Sequence, residues 1–274
     1  MLGSAIIVFR EVLEAALVIG IIAVSTRNLR SRNSWMTAGV MAGLVGSILV
    51  AFFTGKIAEL AEGLGQELFN AIVLSIAATM LALHNIWMVR HGTQLAREAK
   101  QVGHDLMSGN IEMSALALVV ALAVLREGSE TALFLYGMLS GGEETFASIL
   151  SGGAIGLLLG CATGYGLYAG VLRIPPRHFF AVTNILVLLL AAAMASNAAR
   201  FLVQADVVPS LASPLWNSTW LLDNGSLTGR VLHTLIGYEA MPSGIQVVFY
   251  VATIALILAG MRLVRIRPPA PHTL

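Results

Sequence analysis

Apolar residues in this chain come in long continuous runs, separated by short polar stretches. The runs do not alternate apolar with polar at period two, which argues against a transmembrane β-barrel. Seven of them, at about 5–24, 36–54, 69–90, 113–139, 148–172, 179–204 and 244–264, are long enough to cross a bilayer core. One crossing takes roughly 17–25 residues. The pattern therefore predicts an all-α membrane protein of seven transmembrane helices.

Two of the runs are interrupted by the same charged pattern, R-E-x-x-E. Arg10-Glu11-Val12-Leu13-Glu14 lies in the first and Arg126-Glu127-Gly128-Ser129-Glu130 in the fourth. Each leads straight into further apolar sequence, Ala15-Ala16-Leu17 and Thr131-Ala132-Leu133. Charged side chains are costly in hydrocarbon, so two matched clusters there point to a function.

The runs after each motif also correspond. The second carries small residues at every fourth position, Gly39, Gly43, Ser47, Ala51 and Gly55, and the fifth carries Gly152, Gly156, Gly160 and Gly164. Such ladders let helix backbones approach closely in lipid. Phe69 opens the third run and Phe179 and Phe180 the sixth, with Asn85 and Asn197 late in each. Three spans per unit is an odd number, so the two units are inverted relative to each other. The chain is read as one domain over 1–267, with repeats at about 1–90 and 113–204, an extra helix at about 244–264 and a short cytoplasmic tail at 268–274. Inverted repeats that enclose a midplane site are a common transporter architecture.

Composition agrees with this picture: 57% of the 274 residues are apolar, 11% are charged, and the mean hydropathy is +0.82. The net charge of +1 hides an asymmetry. Arg27, Arg30, Arg32, Arg90, Arg97, Lys100, Arg173, Arg177, Arg262, Arg265 and Arg267 fall on one set of loops and the tail, against Lys56 and Arg230 on the other. The positive-inside rule then puts the N-terminus outside and the C-terminus in the cytoplasm. The first run lacks the basic n-region of a signal peptide, and its charges break the apolar segment such a peptide needs. The single cysteine, Cys161, is expected to be a small buried apolar residue that forms no internal disulfide. The scattered basic residues follow membrane topology and give no nucleic-acid footprint.

The outer loops are mildly acidic, with Glu59, Glu62 and Glu67 in one and Glu143 and Glu144 in another. That would concentrate cations near a way in. A long outer loop at about 205–243 contains Trp216 and Trp220 and is expected to lie at the membrane surface. His84, late in the third run, is a candidate for receiving a released ion, and Glu59, Glu62 and Glu67 are candidates for an outer site.

On an α-helix, residues three or four apart share a face. Each motif thus puts two carboxylates on one stripe with a guanidinium at its edge. If the repeats face each other, Glu11, Glu14, Glu127 and Glu130 converge as a metal site, with Arg10 and Arg126 as orienting cations. In one division of labour each arginine holds the carboxylate at i+4 and leaves Glu11 and Glu127 to the metal. Carboxylate oxygens suit hard cations such as iron, manganese, magnesium or calcium better than copper(I). The competing reading is a pair of structural ion pairs that lock helices together.

In these residues the chain resembles the high-affinity iron permease family, the oxidase-dependent iron transporters. Their signature is a pair of R-E-G-L-E-type motifs on the first and fourth of seven spans. The stretch Leu215-Trp216-Asn217-Ser218-Thr219-Trp220-Leu221-Leu222, with Gly229-Arg230, Leu232-His233 and Gly237-Tyr238-Glu239, is similar to the family's last outer loop. Val12 and Ser129 depart from the usual Gly and Leu without removing a carboxylate.

The resemblance implies a permease that imports ferric or ferrous iron across the cytoplasmic (inner) membrane, with the four glutamates as ligands. It implies iron as substrate, no tightly bound cofactor, and separate periplasmic iron-binding or ferroxidase partners. No Ser/His/Asp arrangement, zinc motif or cofactor fingerprint suggests an enzyme. Two alternatives remain open: a permease for another cation such as manganese or lead, and a non-transporting membrane scaffold for a periplasmic oxidase.

Overall fold

Continuous apolar sequence with few internal breakers folds as helix, because in lipid each backbone polar group must be satisfied within its own segment. The computed structural model describes residues 1–61, 65–142, 145–170 and 176–266. Side chains at 57–61, 89–96, 176–180, 227, 230, 234–235 and 265–266 lie outside that description. Within it the chain forms eight α-helices and no strand: α1 (Leu2–Ser25), α2 (Arg32–Ala61), α3 (Gln66–Met107), α4 (Met113–Ser140), α5 (Phe146–Tyr168), α6 (Pro176–Gln204), α7 (Leu227–Ile236) and α8 (Gly244–Ile266).

Local chemistry explains several of the ends. The Thr145 side chain caps α5 by accepting from the Ser148 N–H, and Ser226 caps α7 by accepting from the Gly229 N–H. Pro176 opens α6, where its missing N–H costs nothing. Five helices contain stretches long and apolar enough to cross a membrane: Arg32–Lys56, Gln66–Met88, Phe146–Tyr168, Ala181–Gln204 and Gly244–Val264. α1 and α4, with 24 and 28 residues, match these in length but each carries the three charges of its motif.

The glycine ladders decide which helices touch. On α5, Gly152, Gly156, Gly160 and Gly164 are buried against α1, where they meet Ser4, Val8, Val12 and Ala16. On α2, Gly39 and Gly43 are buried against Val120 and Val124 of α4, and the Ser47 hydroxyl reaches the Val124 carbonyl at 3.3 Å. The α2 ladder stops at Ser47. Ala51 is exposed and Gly55 faces open space, so the expected contact surface is shorter than its sequence pattern. Small residues permit close approach, but a neighbouring helix must be present to use it.

α3 and α6 pack against each other in the middle, with α8 beside both. Ile7, Leu74, Leu81, Phe134, Val187 and Ile257 join α1, α3, α4, α6 and α8 in one core. A second core of Ile22, Ala99, Leu106, Leu116 and Val120 lies toward the other end of α1. The outward faces of α2, α5 and α8 stay apolar and exposed, as at Ile48, Leu158 and Leu256, which suits lipid contact.

Two segments gain detail and one expectation needs adjustment. α3 runs on well past residue 90, so much of the 91–112 segment is one continuous helix with the third span. The 205–243 loop is folded. It contains α7, and its two ends pair through Leu215 N–H to Pro242 O at 2.8 Å and Ser218 N–H to Ala240 O at 2.9 Å. Trp216 and Trp220 are exposed on it. Cys161 is exposed rather than buried, because α5 buries its glycine stripe and Cys161 lies off it.

Candidate functional site

The helix seats aim the two motifs. On α1, Val8, Val12 and Ala16 sit on the glycines of α5, so the face carrying Ile7, Arg10, Glu11 and Glu14 turns into the bundle. On α4, Val120, Val124 and Gly128 sit on α2, so Glu127, Glu130 and Phe134 turn inward. The third participant comes from α3: His84 is buried and its ring lies between the two motifs.

Arg10 stands 3.1 Å from Glu11 and 3.0 Å from Glu14. Arg126 stands 3.3 Å from Glu130 and 3.6 Å from Glu127. Each arginine therefore attends both carboxylates of its own motif, not the i+4 partner alone. His84 Nδ1 pairs with Glu130 Oε2, and its Nε2 lies 3.6 Å from Glu14 Oε2. One imidazole thus touches a carboxylate from each motif.

Donor atoms of Glu11, Glu14 and His84 lie within 4.8 Å of one another, and so do those of Glu11, Glu127 and Glu130. Glu11 belongs to both groups and is the hinge of the cluster. Glu11 Oε2 and Glu127 Oε2 are buried and make no hydrogen bond. Buried polar atoms are seldom left without partners, and unpartnered carboxylate oxygens facing one another are unfavourable unless a cation joins them. Two guanidiniums against four carboxylates leave negative charge in excess when all are ionised. The donor set is hard oxygen with one imidazole nitrogen, which suits iron and related divalent cations.

The other sequence candidates sit elsewhere. Glu67 is exposed in the first turn of α3, about 25 Å along the helix from His84 at 1.5 Å per residue. Glu62 and the side chain of Glu59 lie outside the described residues, as do Glu143 and Glu144. His84 is not near an end of the bundle but at the carboxylate level. Trp87, one turn further along α3, was not anticipated: the Arg126 guanidinium lies 4.1 Å from its ring centroid. A histidine and a tryptophan three apart inside an apolar run were the available signal, since polar groups in spans are rarely idle.

Residues 1–266, nearly the full length, match the family described as Iron permease FTR1 family. The chain belongs to that family. Among relatives, the ferrous iron permease EfeU of Yersinia pestis is 30% identical over 260 residues, covering 92% of this chain and 91% of the relative. The ferrous iron permeases EfeU of Escherichia coli O6:H1 (strain CFT073) and of Shigella sonnei (strain Ss046) are each 29% identical over 259 residues, covering 93% of both partners. No solved structure matches the chain. Membership makes this FTR1-family chain a multi-pass membrane transporter for iron, consistent with its apolar helices.

Proposed function

We propose that this permease imports ferrous iron across the cytoplasmic membrane through a site built from Glu11, Glu14, Glu127 and Glu130, with His84 as a fifth ligand. Arg10 and Arg126 orient the carboxylates. The convergence of both motifs on one buried cluster, with facing carboxylate oxygens left unpartnered, carries the proposal. The imidazole favours ferrous iron over a harder ion, and the relatives named ferrous iron permeases support the same choice.

In this reading α1 and α4 join the five apolar helices to make seven spans, with the N-terminus outside. Their motif charges are tolerated because they face one another and not lipid. Reciprocal packing supports two inverted repeats: α1 of the first seats on α5 of the second, and α4 of the second seats on α2 of the first. Movement of one repeat against the other would then expose the site to each side in turn. Separate periplasmic iron-binding or ferroxidase proteins would serve the outer face.

The test is radioactive iron uptake into proteoliposomes holding the purified chain, with ferrous and ferric iron supplied separately. Glu14→Gln and Glu130→Gln should each reduce ferrous uptake at least a hundredfold while the protein remains folded, and His84→Gln should reduce it about tenfold. Uptake equal to wild type in all three would make the cluster a structural lock and return the scaffold reading. Competition by manganese or lead at equal potency would replace iron as the specific cargo.

A further inference from the structure

The 205–243 loop folds over a cavity of about 770 Å³ at the end of the bundle that holds Leu2, Gly141 and Asn197. Three helices run from this vestibule to the carboxylate cluster. Leu2 of α1, Leu74 of α3 and Met138 of α4 are among the residues that line the vestibule. Glu11, His84 and Glu130, on the same three helices, belong to the deep cluster. The step from Met138 to Glu130 is about 12 Å along α4, and that from Leu74 to His84 is about 15 Å along α3. In the orientation proposed above the vestibule is at the outer end, so iron must cross that distance to reach its ligands.

What fills the distance is apolar. Ile7, Leu81 and Phe134 lie one on each helix, between the vestibule residue and the ligand, and each is a single turn from that ligand. All three are 0% exposed and belong to one packed cluster. The same spacing from the ligand on three helices makes them a layer across the bundle. Their side chains offer no donor or acceptor. A hydrated cation cannot enter such a layer without losing hydration that carbon does not replace, and water is kept out for the same reason. Hydrophobic constrictions of this kind close ion pathways by dewetting.

The layer also straddles the two repeats. Ile7 and Leu81 come from the first and Phe134 from the second. Any displacement of one repeat against the other must therefore change it. One turn nearer the vestibule than Phe134, Gly137 lets α4 press against its neighbours. A Cβ there would stand 2.6 Å from Ala77 Cβ of α3 and 2.8 Å from Met194 Cε of α6. The Met194 methyl can swing aside, but Ala77 can give way only if α3 moves. Glycine at 137 is thus what allows α4 to close on α3 beside the layer.

We infer that Ile7, Leu81 and Phe134 form the outer gate of the permease, held closed in this conformation by the approach of α4 to α3 at Gly137. Iron passes from the vestibule to the carboxylates when α4 shifts away from α1 and α3. The inference rests on the iron-permease reading and adds the barrier that iron crosses before it meets its ligands.

Thiol reactivity tests the barrier without relying on transport. In a Cys161→Ser background, Ser148→Cys puts a thiol in the vestibule and Glu130→Cys puts one beyond the layer. A charged, membrane-impermeant methanethiosulfonate added outside intact spheroplasts should modify Ser148→Cys about a hundredfold faster than Glu130→Cys. Adding Gly137→Ala, which leaves every layer residue in place, or Leu81→Ala, which thins the layer, should speed the Glu130→Cys reaction about tenfold. Equal rates at the two thiols would overturn the inference. So would a vestibule thiol that stays unmodified, or a deep thiol whose rate neither variant changes.

Loading of the deep site gives the second readout. Anaerobic stopped-flow mixing of the full chain with ferrous iron, followed by tryptophan fluorescence, should show binding about tenfold faster in Gly137→Ala and in Leu81→Ala, with the equilibrium half-saturation unchanged, because a gate alters the barrier and not the bound state. A rate that stays at the wild-type value in both, with or without a loss of affinity, would make the layer ordinary packing and overturn the inference. If wild type takes up no iron, the permease reading fails, and the thiol rates still decide whether the layer closes the pocket.

Discussion

The two R-E-x-x-E motifs have one spacing and two environments. Arg10 is 0% exposed and its carboxylate partners are nearly so, whereas the Arg126 side chain is 34% exposed and rests on Trp87. The first motif is enclosed because α1 lies between α5 and the α3–α6 core. The second lies on α4, whose seat on α2 leaves its arginine nearer the surface. A repeated sequence pattern therefore does not yield equivalent halves. The first motif is the more enclosed, with Glu11 shared by both donor groups. The second is held by a longer ion pair and an aromatic face.

Replacing the arginines tests that contrast most severely. Arg10→Ala strands two buried carboxylates and should cost about 3–5 kcal/mol. Arg126→Ala, partly screened by its exposure, should cost about 1 kcal/mol or less. Thermal unfolding of both in detergent measures the gap, and equal losses would erase the distinction between the halves.

The helix seats should behave alike where the arginines do not. Gly156→Leu drives a side chain into the α1 backbone near Phe9 N, and Gly43→Leu drives one into Val124 and the Ala121 carbonyl. Each should lose about 1–3 kcal/mol or more, because a close-packed interface cannot absorb the volume. A seat that tolerated leucine would show that its helix is held by other contacts.

The smallest effect sharpens the comparison most narrowly. Trp87→Ala removes the ring under Arg126 and leaves the first motif intact. It should cost about 0.5 kcal/mol and alter the half-saturation of uptake more than folding. No change in uptake would mean that Trp87 serves packing alone.

Much of this was legible in the chain itself. Apolar run lengths gave helices that cross a membrane, since only length and polarity set that requirement. The i, i+3, i+4 spacing gave two carboxylates and a guanidinium on one stripe, because helical geometry is local. The small-residue ladders at Gly39–Ser47 and Gly152–Gly164 marked contact faces. Which helix each ladder met was decided only by packing, and so was the failure of Ala51 and Gly55 to take part. His84 shows the same limit: its position along α3 was known, but its place between Glu14 and Glu130 depends on three helices meeting at one level. Folding of the 205–243 loop over the vestibule, and the meeting of Ile7, Leu81 and Phe134 in one layer, likewise belong to tertiary structure. Local sequence fixes what a face offers. Contacts between segments far apart in the chain fix what it meets, and that depends on burial, shape and charge summed over the whole bundle.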